Sequence, residues 1–424
     1  MDPLKEFKGK NVLLLQSQFV FFKRLSKDLK KVAKSIHKIN FNGGDWIFYP
    51  FGAVNYTGKP GEIGNFIKDY IVQNDIDAVV VFNDCKPVHR IAKKAIQNLK
   101  VDLYVFEQGY IRPDFITFEK GGVNGYSSLP KDANFYKGLD LPKKINITKV
   151  GKVSAYRFLY SVVYYLSFNL LKPIFRSSDF SVPKINKYAL GLLKGRFLKF
   201  YYDKTQNPKI NDFISKHKNN YYFVPLQMSV DSQIRMHSPY QDVYEFIEDV
   251  LVSFSTYAPK DTYLVFKHHP FDLGLNDYTD YIYKRSLMLG ISDRVKYFKS
   301  GCIDLLIANS IGCVMVNSTC GMTALKHRKP LKIIGNAIYD IDGIVYKDTL
   351  NEFWQDIFIP DNDLIEKFTT YVILNTQANG SFYKKITKEN NCGIKFFSDT
   401  SVYPIYRETK ISLEKGALHE VNQS

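Results

Sequence analysis

Strands alternating with helices, twice along the chain, constrain this sequence more than any other feature. Asn11 to Leu15 reads as a first strand, and the SQFVFFKRLSKDLKKVAKSIH that follows places Phe22, Leu25, Leu29 and Val32 at helical spacing. HKINFNGGDWIFY supplies a second strand interrupted by Asn42, Gly43 and Gly44, IDAVVVFND a third, Val88 to Leu99 a helix, and VDLYVF the next strand. Each apolar helical stripe must cover a sheet face, so the pattern demands a mostly parallel sheet. From Tyr221 the rhythm returns. YYFVPLQ, TYLVFKHHP, VKYF, IDLLIANSIGCVMVN and PLKIIG read as strands, with helices around Val243 to Phe254 and from STCGMTALKHR. The expected fold is α/β, with two Rossmann-like domains and a central cleft.

At 424 residues and 45% hydrophobic content the chain exceeds the size at which one core stops growing. Residues 1–150 are expected to form one α/β domain and 216–350 the second. Between them, 151–215 breaks the rhythm with SAYRFLYSVVYYLSFNLLKPIF and lysine-rich helical sequence. Ser161, Ser167 and Asn169 interrupt it too often for a spanning helix, which leaves an interfacial helix or packing between domains. Residues 351–424 are expected to be helices and a tail returning to the first domain. The formal charge of +16 implies an anionic partner, but Lys and Arg are spread without a nucleic-acid-binding motif. With 30 Tyr and 32 Phe, an anionic membrane surface or small substrate fits at least as well. Five scattered cysteines without metal-ligand spacing, and an amino terminus unlike a secretory signal, point to the cytoplasm and to no metal. Neither GxGxxG nor GxxxxGK[ST] occurs.

Polar residues concentrate at the ends of the expected strands, where open α/β sheets bind ligands. VDLYVFEQGYIRPDFITFEKGGVNGYSSLP carries Glu107, Arg112, Asp114 and Glu119 among glycines, as a ligand crevice or as a polar loop. Gln18, Asn42, Gly43, Asp84, Lys86 and Arg90 stand at neighbouring strand ends. In the second half Lys267, His269 and Pro270 follow a strand, and a lysine and histidine there can stabilise a departing phosphate. Ser318 and Thr319 lie before a helix whose free amides can also bind phosphate, or simply cap it. VPLQMSVDSQIRMHSP adds Gln227, Asp231, Gln233, His237 and Ser238, for sugar hydroxyls or a base edge, or as a polar hinge.

FFKRLSKDL, HKINFNGGD, NDCKPVHRIA, FEQGYIRPDFIT with VNG, VPLQ with DSQI and HSP, KHHP and NSTCG resemble, in that order, the bacterial capsular polysaccharide biosynthesis proteins. Within them the similarity is to the single-module capsule β-Kdo transferases. The resemblance covers about residues 12 to 345. It implies a GT-B-like, CMP-Kdo-dependent glycosyltransferase that starts a lipid linker on a phosphatidylglycerol-type lipid. It also implies a peripheral position at the inner face of the cytoplasmic membrane, possible hand-over to a downstream capsule Kdo transferase and export machinery, no nucleic acid and no cofactor beyond the donor. The family's acidic-acidic-Gly motif falls on Glu107-Gln108-Gly109, its His-Pro motif for the CMP phosphate on His269-Pro270, and its Ser/Thr motif on Ser318 and Thr319. Gln108 departs from that pattern and cannot be a carboxylate. The implied catalytic carboxylate is therefore Glu107, with Asp114, Glu119 and Asp45 as further candidates. Retention of β stereochemistry implies two displacements at the anomeric carbon.

Overall fold

The computed structural model describes residues 3–16, 19–142, 144–181, 185–229 and 232–397. Two sheets organise them. The first contains β1 (Asn11–Leu15), β2 (Ser35–Asn40), β3 (Val54–Asn55), β4 (Ala78–Phe82), β5 (Asp102–Gln108) and β6 (Phe115–Lys120). The second contains β7 (Tyr221–Pro225), β8 (Tyr263–Lys267), β9 (Val295–Phe298), β10 (Gly312–Met315) and β11 (Leu331–Ile333). Late in the chain β12 (Gln377–Asn379) and β13 (Lys395–Phe396) return to the first sheet. Its order is β13-β12-β6-β5-β4-β1-β2-β3, and that of the second is β11-β10-β7-β8-β9.

Parallel pairing runs through the whole second sheet and from β3 to β5 in the first. The physical reason is two-sided burial. NVLLL and AVVVF are buried at every position. Their alternate side chains enter different clusters: Leu13, Val79, Val81 and Val105 on one face, Val12, Leu14, Val80 and Phe106 on the other. The helix Phe21–Leu29 covers the second of these with Phe21, Phe22, Leu25 and Leu29. The arrangement is the expected pair of Rossmann-like units in a GT-B-like fold, with the Glu107 turn entering an antiparallel hairpin between β5 and β6.

Two stretches read as strands fold otherwise. GGDWIF is a helix, Gly43–Phe48, because the Asn42 side chain caps it by accepting the Asp45 N–H at 2.8 Å. IDLLIA is also a helix, Ile303–Ala308, which buries Leu305, Leu306 and Ile307 before the short strand Gly312–Met315 begins. A short apolar run does not by its periodicity distinguish these outcomes. The connecting region forms the helices Ser154–Leu170 and Ile185–Lys216, and no described helix is long and apolar enough to cross a membrane.

Gly43 and Gly44 permit the close crossing that locks the first of those helices onto the sheet mouth. A Cβ on Gly43 would lie 2.2 Å from the Ser167 carbonyl oxygen, and one on Gly44 would lie 2.5 Å from the Tyr164 ring. The neighbour at Gly43 is backbone, so the two helices would have to separate. Gly43→Ala should destabilise the protein by about 1–3 kcal/mol in denaturant titration, as overpacking does. Gly61→Ala, where a Cβ meets nothing within 4 Å, should change little.

Candidate active site between the two sheets

The strand mouths of both sheets converge on one cleft. In each sheet the order reverses beside the first strand of that half, between β1 and β4 and between β7 and β10, the position where open α/β sheets leave a crevice. At the second reversal Gln227, just past β7, donates to the Asn317 side chain, just past β10, at 3.0 Å. Asn317 N–H returns a bond to the Gln227 amide oxygen at 3.3 Å. Ser318 accepts the Cys320 N–H at 3.2 Å, from one position before the N-cap of the helix Cys320–Lys326. Thr319 stands at the N-cap position without a side-chain capping bond and instead lines a small gap with Tyr110 and Asn124 of the first half. That gap measures about 10 Å³, enough for a single water.

His237 completes the contact between the halves. Its Nε2 lies 3.9 Å from the Cys85 sulfur, its ring meets Tyr126 edge-on at 4.6 Å, and Gly125 passes so close that a Cβ would fall 2.3 Å from Nδ1. Glycine at 125 is therefore a space requirement, not a turn requirement. Asp231 and the side chain of Gln233 lie outside the described residues, as does Gln18.

Glu107 is the last residue but one of β5, on the first side of the cleft. Its Oε1 accepts the Gln108 N–H at 2.8 Å, while Oε2 is shielded from solvent with no hydrogen-bond partner. Burial pushes its pKa up to about 7, with the Asp84 charge adding to the rise and the Gln108 N–H, Arg112 and Lys86 opposing it. Nearby Glu119 is engaged on both oxygens, accepting from the Tyr110 hydroxyl at 2.5 Å and from Ser127. Burial raises it to about 7 as well. Glu119 thus holds Tyr110, whose hydroxyl accepts the Asn124 N–H at 2.7 Å, and it braces the VNG loop instead of presenting a free oxygen.

Asp114 is not brought into this group. Its carboxylate accepts the Val150 N–H at 2.8 Å and its carbonyl accepts from Gly380 and Asn379, so it anchors the incoming connection and β12. Asp45 is fully buried, accepts the Phe41 N–H at 3.1 Å, and its charge raises the Lys86 and Lys38 pKa values against the stronger effect of burial. It supports the mouth from below.

On the second side of the cleft, just past β8, stands His269. Its Nδ1 accepts the Phe271 N–H at 3.2 Å, and burial together with Lys267, Arg112, His268 and Arg157 lowers its pKa to about 3. A neutral ring with Nδ1 occupied as acceptor carries its hydrogen on Nε2, ready to donate. Pro270 follows and begins the turn that seats Phe271 under the Arg157 guanidinium, 4.1 Å from the ring centroid. Lys267 is buried and donates to the His268 carbonyl at 3.3 Å; burial lowers it to about 8, with Cys320 and Asp203 among the charges in its field. It sits beneath the helix that starts at Cys320. Arg112, whose Nε donates to the Gly109 carbonyl at 3.1 Å, acts electrostatically on both Glu107 and His269 and so marks the middle of the cleft.

Two contributors carry no readable sequence signal. Arg157 reaches the His269 side from the helix Ser154–Leu170, through its stacking on Phe271. Gln16, at the end of β1, is 1% exposed with both amide atoms unpartnered, in a left-handed backbone conformation with φ 52°. Among the described residues no group of three His, Cys, Asp or Glu side chains could hold a metal ion.

Fold and site together define a two-lobed α/β protein with a carboxylate facing a histidine and two arginines across a cleft. Residues 77–383 match the family described as capsule polysaccharide biosynthesis protein. The chain is 36% identical over 381 residues to the capsule polysaccharide export protein KpsS of Escherichia coli, covering 88% of this chain and 97% of that one. It is 35% identical over 402 residues, 89% and 93% of the two chains, to the capsule polysaccharide modification protein LipB of Neisseria meningitidis serogroup A. Among solved structures it is similar to the KpsC β-Kdo 2,7 transferase of Thermosulfurimonas dismutans, with 14% identity, a TM-score of 0.41, and 87% and 92% coverage. This chain belongs to the capsule polysaccharide biosynthesis protein family.

Both raised carboxyl pKa values have a consequence for stability. Folding raises Glu107 and Glu119 from the ordinary 4.5 to about 7, so the folded protein holds protons that the unfolded chain releases. Their contribution is complete below about 4.5 and is lost as pH rises through about 7. Glu107→Gln removes one share of that loss. Its melting temperature should therefore fall less than the wild type's across this window, and parallel curves would show that burial does not control the Glu107 proton.

Proposed function

We propose that this protein is a retaining β-Kdo glycosyltransferase that moves Kdo from CMP-Kdo to a phosphatidylglycerol-type lipid, starting a capsule lipid linker. The observation that carries the reading is the buried, unpartnered Glu107 Oε2 near the end of β5, with the Arg112 charge acting on both Glu107 and His269. Family membership, with relatives named for capsule polysaccharide export and modification, supplies the context.

In this reading the donor phosphate lies against His269 Nε2–H, with Arg112 and Arg157 adding positive charge and Ser318 and Thr319 at the neighbouring helix start. An ionised Glu107 attacks the anomeric carbon as its bond to the CMP phosphate oxygen breaks. The acceptor hydroxyl then attacks the anomeric carbon, its proton passing to solvent as the bond to Glu107 breaks and the carboxylate is released, and two inversions give net retention. Hydrogen bonds and guanidinium charge stabilise the leaving phosphate without requiring a metal. Gln227 and His237 line the donor side between the lobes. Exposed Leu159, Leu166, Leu170, Leu190 and Phe197 on the two connecting helices suit attachment to the inner face of the cytoplasmic membrane, where a lipid acceptor and the later capsule machinery would be met.

Incubating the purified protein with CMP-Kdo and phosphatidylglycerol should yield a Kdo-lipid detectable by mass spectrometry. No product, or preference for a UDP- or GDP-sugar, would overturn the assignment. Because the carboxyl must be ionised to attack, kcat/KM should rise with pH through about 7. Glu107→Gln should abolish transfer and the rising limb. His269→Ala should lower turnover by about a hundredfold through lost stabilisation of the leaving phosphate. Equal turnover per folded molecule would return His269 to a structural role.

A further inference from the structure

A second cavity lies on the other flank of β8, away from Glu107. It measures about 340 Å³, within the range of small-ligand sites. The helix Ile185–Lys216 forms one wall and the loop 268–277 with Lys299 the other. The two walls touch through glycines: a Cβ on Gly274 would fall 1.8 Å from the Gly191 carbonyl oxygen, and one on Gly191 would meet the Leu275 side chain at 2.2 Å. This close crossing holds the helix against the loop, so the neighbouring space is bounded by backbone packing.

The lining is polar and cationic in a specific way. His268 is 1% exposed, lines the cavity, and its Nε2 has no hydrogen-bond partner. Its Nδ1 bonds the Tyr297 hydroxyl; the Asp272 carbonyl interacts with the ring but is shared with Leu275 N–H at 2.8 Å and Asn276 N–H at 3.0 Å, and the buried Asp272 carboxylate also acts on the ring. Burial lowers the His268 pKa to about 4, leaving a neutral ring that contributes a dipole and no net charge. The Tyr297 hydroxyl accepts the Tyr278 N–H, which leaves its own hydrogen for Nδ1 and the ring hydrogen on Nε2. Lys299 pairs with Asp277 at 2.5 Å, which offsets the one carboxylate in the lining. Lys194 is exposed at the rim and has no ion pair among the described residues, so the lining carries one uncompensated positive charge. A buried, unpaired donor beside such a lysine suits a single anion.

The position on the helix indicates where that anion comes from. Lys194, Leu198 and Tyr202 recur every fourth residue and face the cavity. One residue back around the helix, Leu190, Leu193, Phe197 and Phe200 form a stripe exposed by 69, 45, 78 and 76%. Arg196 of this helix stacks 4.9 Å over Phe158 of the neighbouring helix Ser154–Leu170, which adds exposed Leu159, Leu166 and Leu170. An apolar stripe beside a lysine-rimmed cavity matches the two layers of a membrane leaflet, acyl chains and anionic headgroups.

We propose that this cavity is a headgroup site that takes the phosphate of an anionic phospholipid, with Lys194 and the His268 Nε2–H as its ligands, while the adjacent stripe enters the leaflet. The inference rests on the membrane attachment described under the proposed function but not on the identity of the donor sugar. It differs from diffuse attraction by a basic surface, because a neutral histidine takes part.

Co-sedimentation of the full chain with phosphatidylcholine vesicles, with and without a minor fraction of phosphatidylglycerol, tests it. The wild type should prefer the anionic vesicles. Lys194→Gln should weaken that preference about fivefold, the scale of one basic group at a membrane surface. His268→Phe, which removes no net charge, should weaken it comparably. Lys204→Gln removes an exposed lysine in line with the stripe but outside the cavity, and should have a smaller effect. Phe197→Ser should lower binding to both vesicle types. Equal losses from Lys194→Gln and Lys204→Gln, with His268→Phe unchanged, would overturn the site in favour of diffuse charge. Binding of free glycerol phosphate lost in Lys194→Gln while vesicle partition is unaffected would overturn the lipid source. If His268→Phe does not fold, the comparison of the two lysine variants decides. Apolar binding without headgroup preference defeats the cavity alone, whereas no binding to either vesicle defeats membrane attachment as well.

Discussion

One apolar cluster joins the two sheets, and the geometry of the cleft depends on it. Leu13, Val79 and Val105 from the first sheet belong to the same buried cluster as Phe223, Val265 and Met315 from the second, connected through residues such as Tyr136, Tyr339 and Phe368. Helix Asn362–Thr376 carries Phe368 and leads into β12, so the late part of the chain ties the second lobe back to the first. Because strands in both halves end at the cleft, this packing places two sets of polar strand ends opposite one another. A shift of either sheet against the cluster would cost apolar burial, at about 25 cal/mol per Å² of surface re-exposed, and would break bonds between the halves such as that from Lys131 to the Ala337 carbonyl.

The polar cost of that burial is concentrated at the carboxylates. Glu107 and Glu119 both experience a loss of hydration that raises their pKa values, yet they answer it differently. Glu119 satisfies both oxygens with Tyr110 and Ser127 and becomes a brace. Glu107 satisfies one oxygen through Gln108 N–H and leaves the other unpaired. An unpaired buried acceptor is unfavourable to folding, and such exceptions cluster where chemistry occurs. Gln108 therefore contributes through its backbone here: its N–H fixes the orientation of the neighbouring carboxylate.

The same economy of position governs the two histidines after β8. His269 faces Arg112 and Arg157, while His268 faces Tyr297 and the second cavity. Consecutive residues leaving a strand point to opposite sides, so one dipeptide serves two different spaces. Both rings are kept neutral by burial, which makes each a hydrogen-bond donor or acceptor instead of a fixed charge.

The sequence by itself determined the alternation of strands and helices, the two α/β units, and the strand-end motifs at Glu107, His269 and Ser318. These are local patterns, and two-sided burial in a parallel sheet writes them directly into runs such as NVLLL and AVVVF. It did not separate helix from strand in GGDWIF or IDLLIA, where a short apolar segment suits either and the cap and packing partners decide. Only the tertiary structure distinguished Glu107 from Asp114, two carboxylates seven positions apart: one ends in the cleft with a free oxygen, the other bonds Val150 at the base of β12. Likewise, Arg157 joins His269 and Lys194 joins His268 because helices far away in sequence cross the strand mouths at glycine contacts. Proximity of that kind depends on long-range packing, and residue spacing along the chain does not encode it.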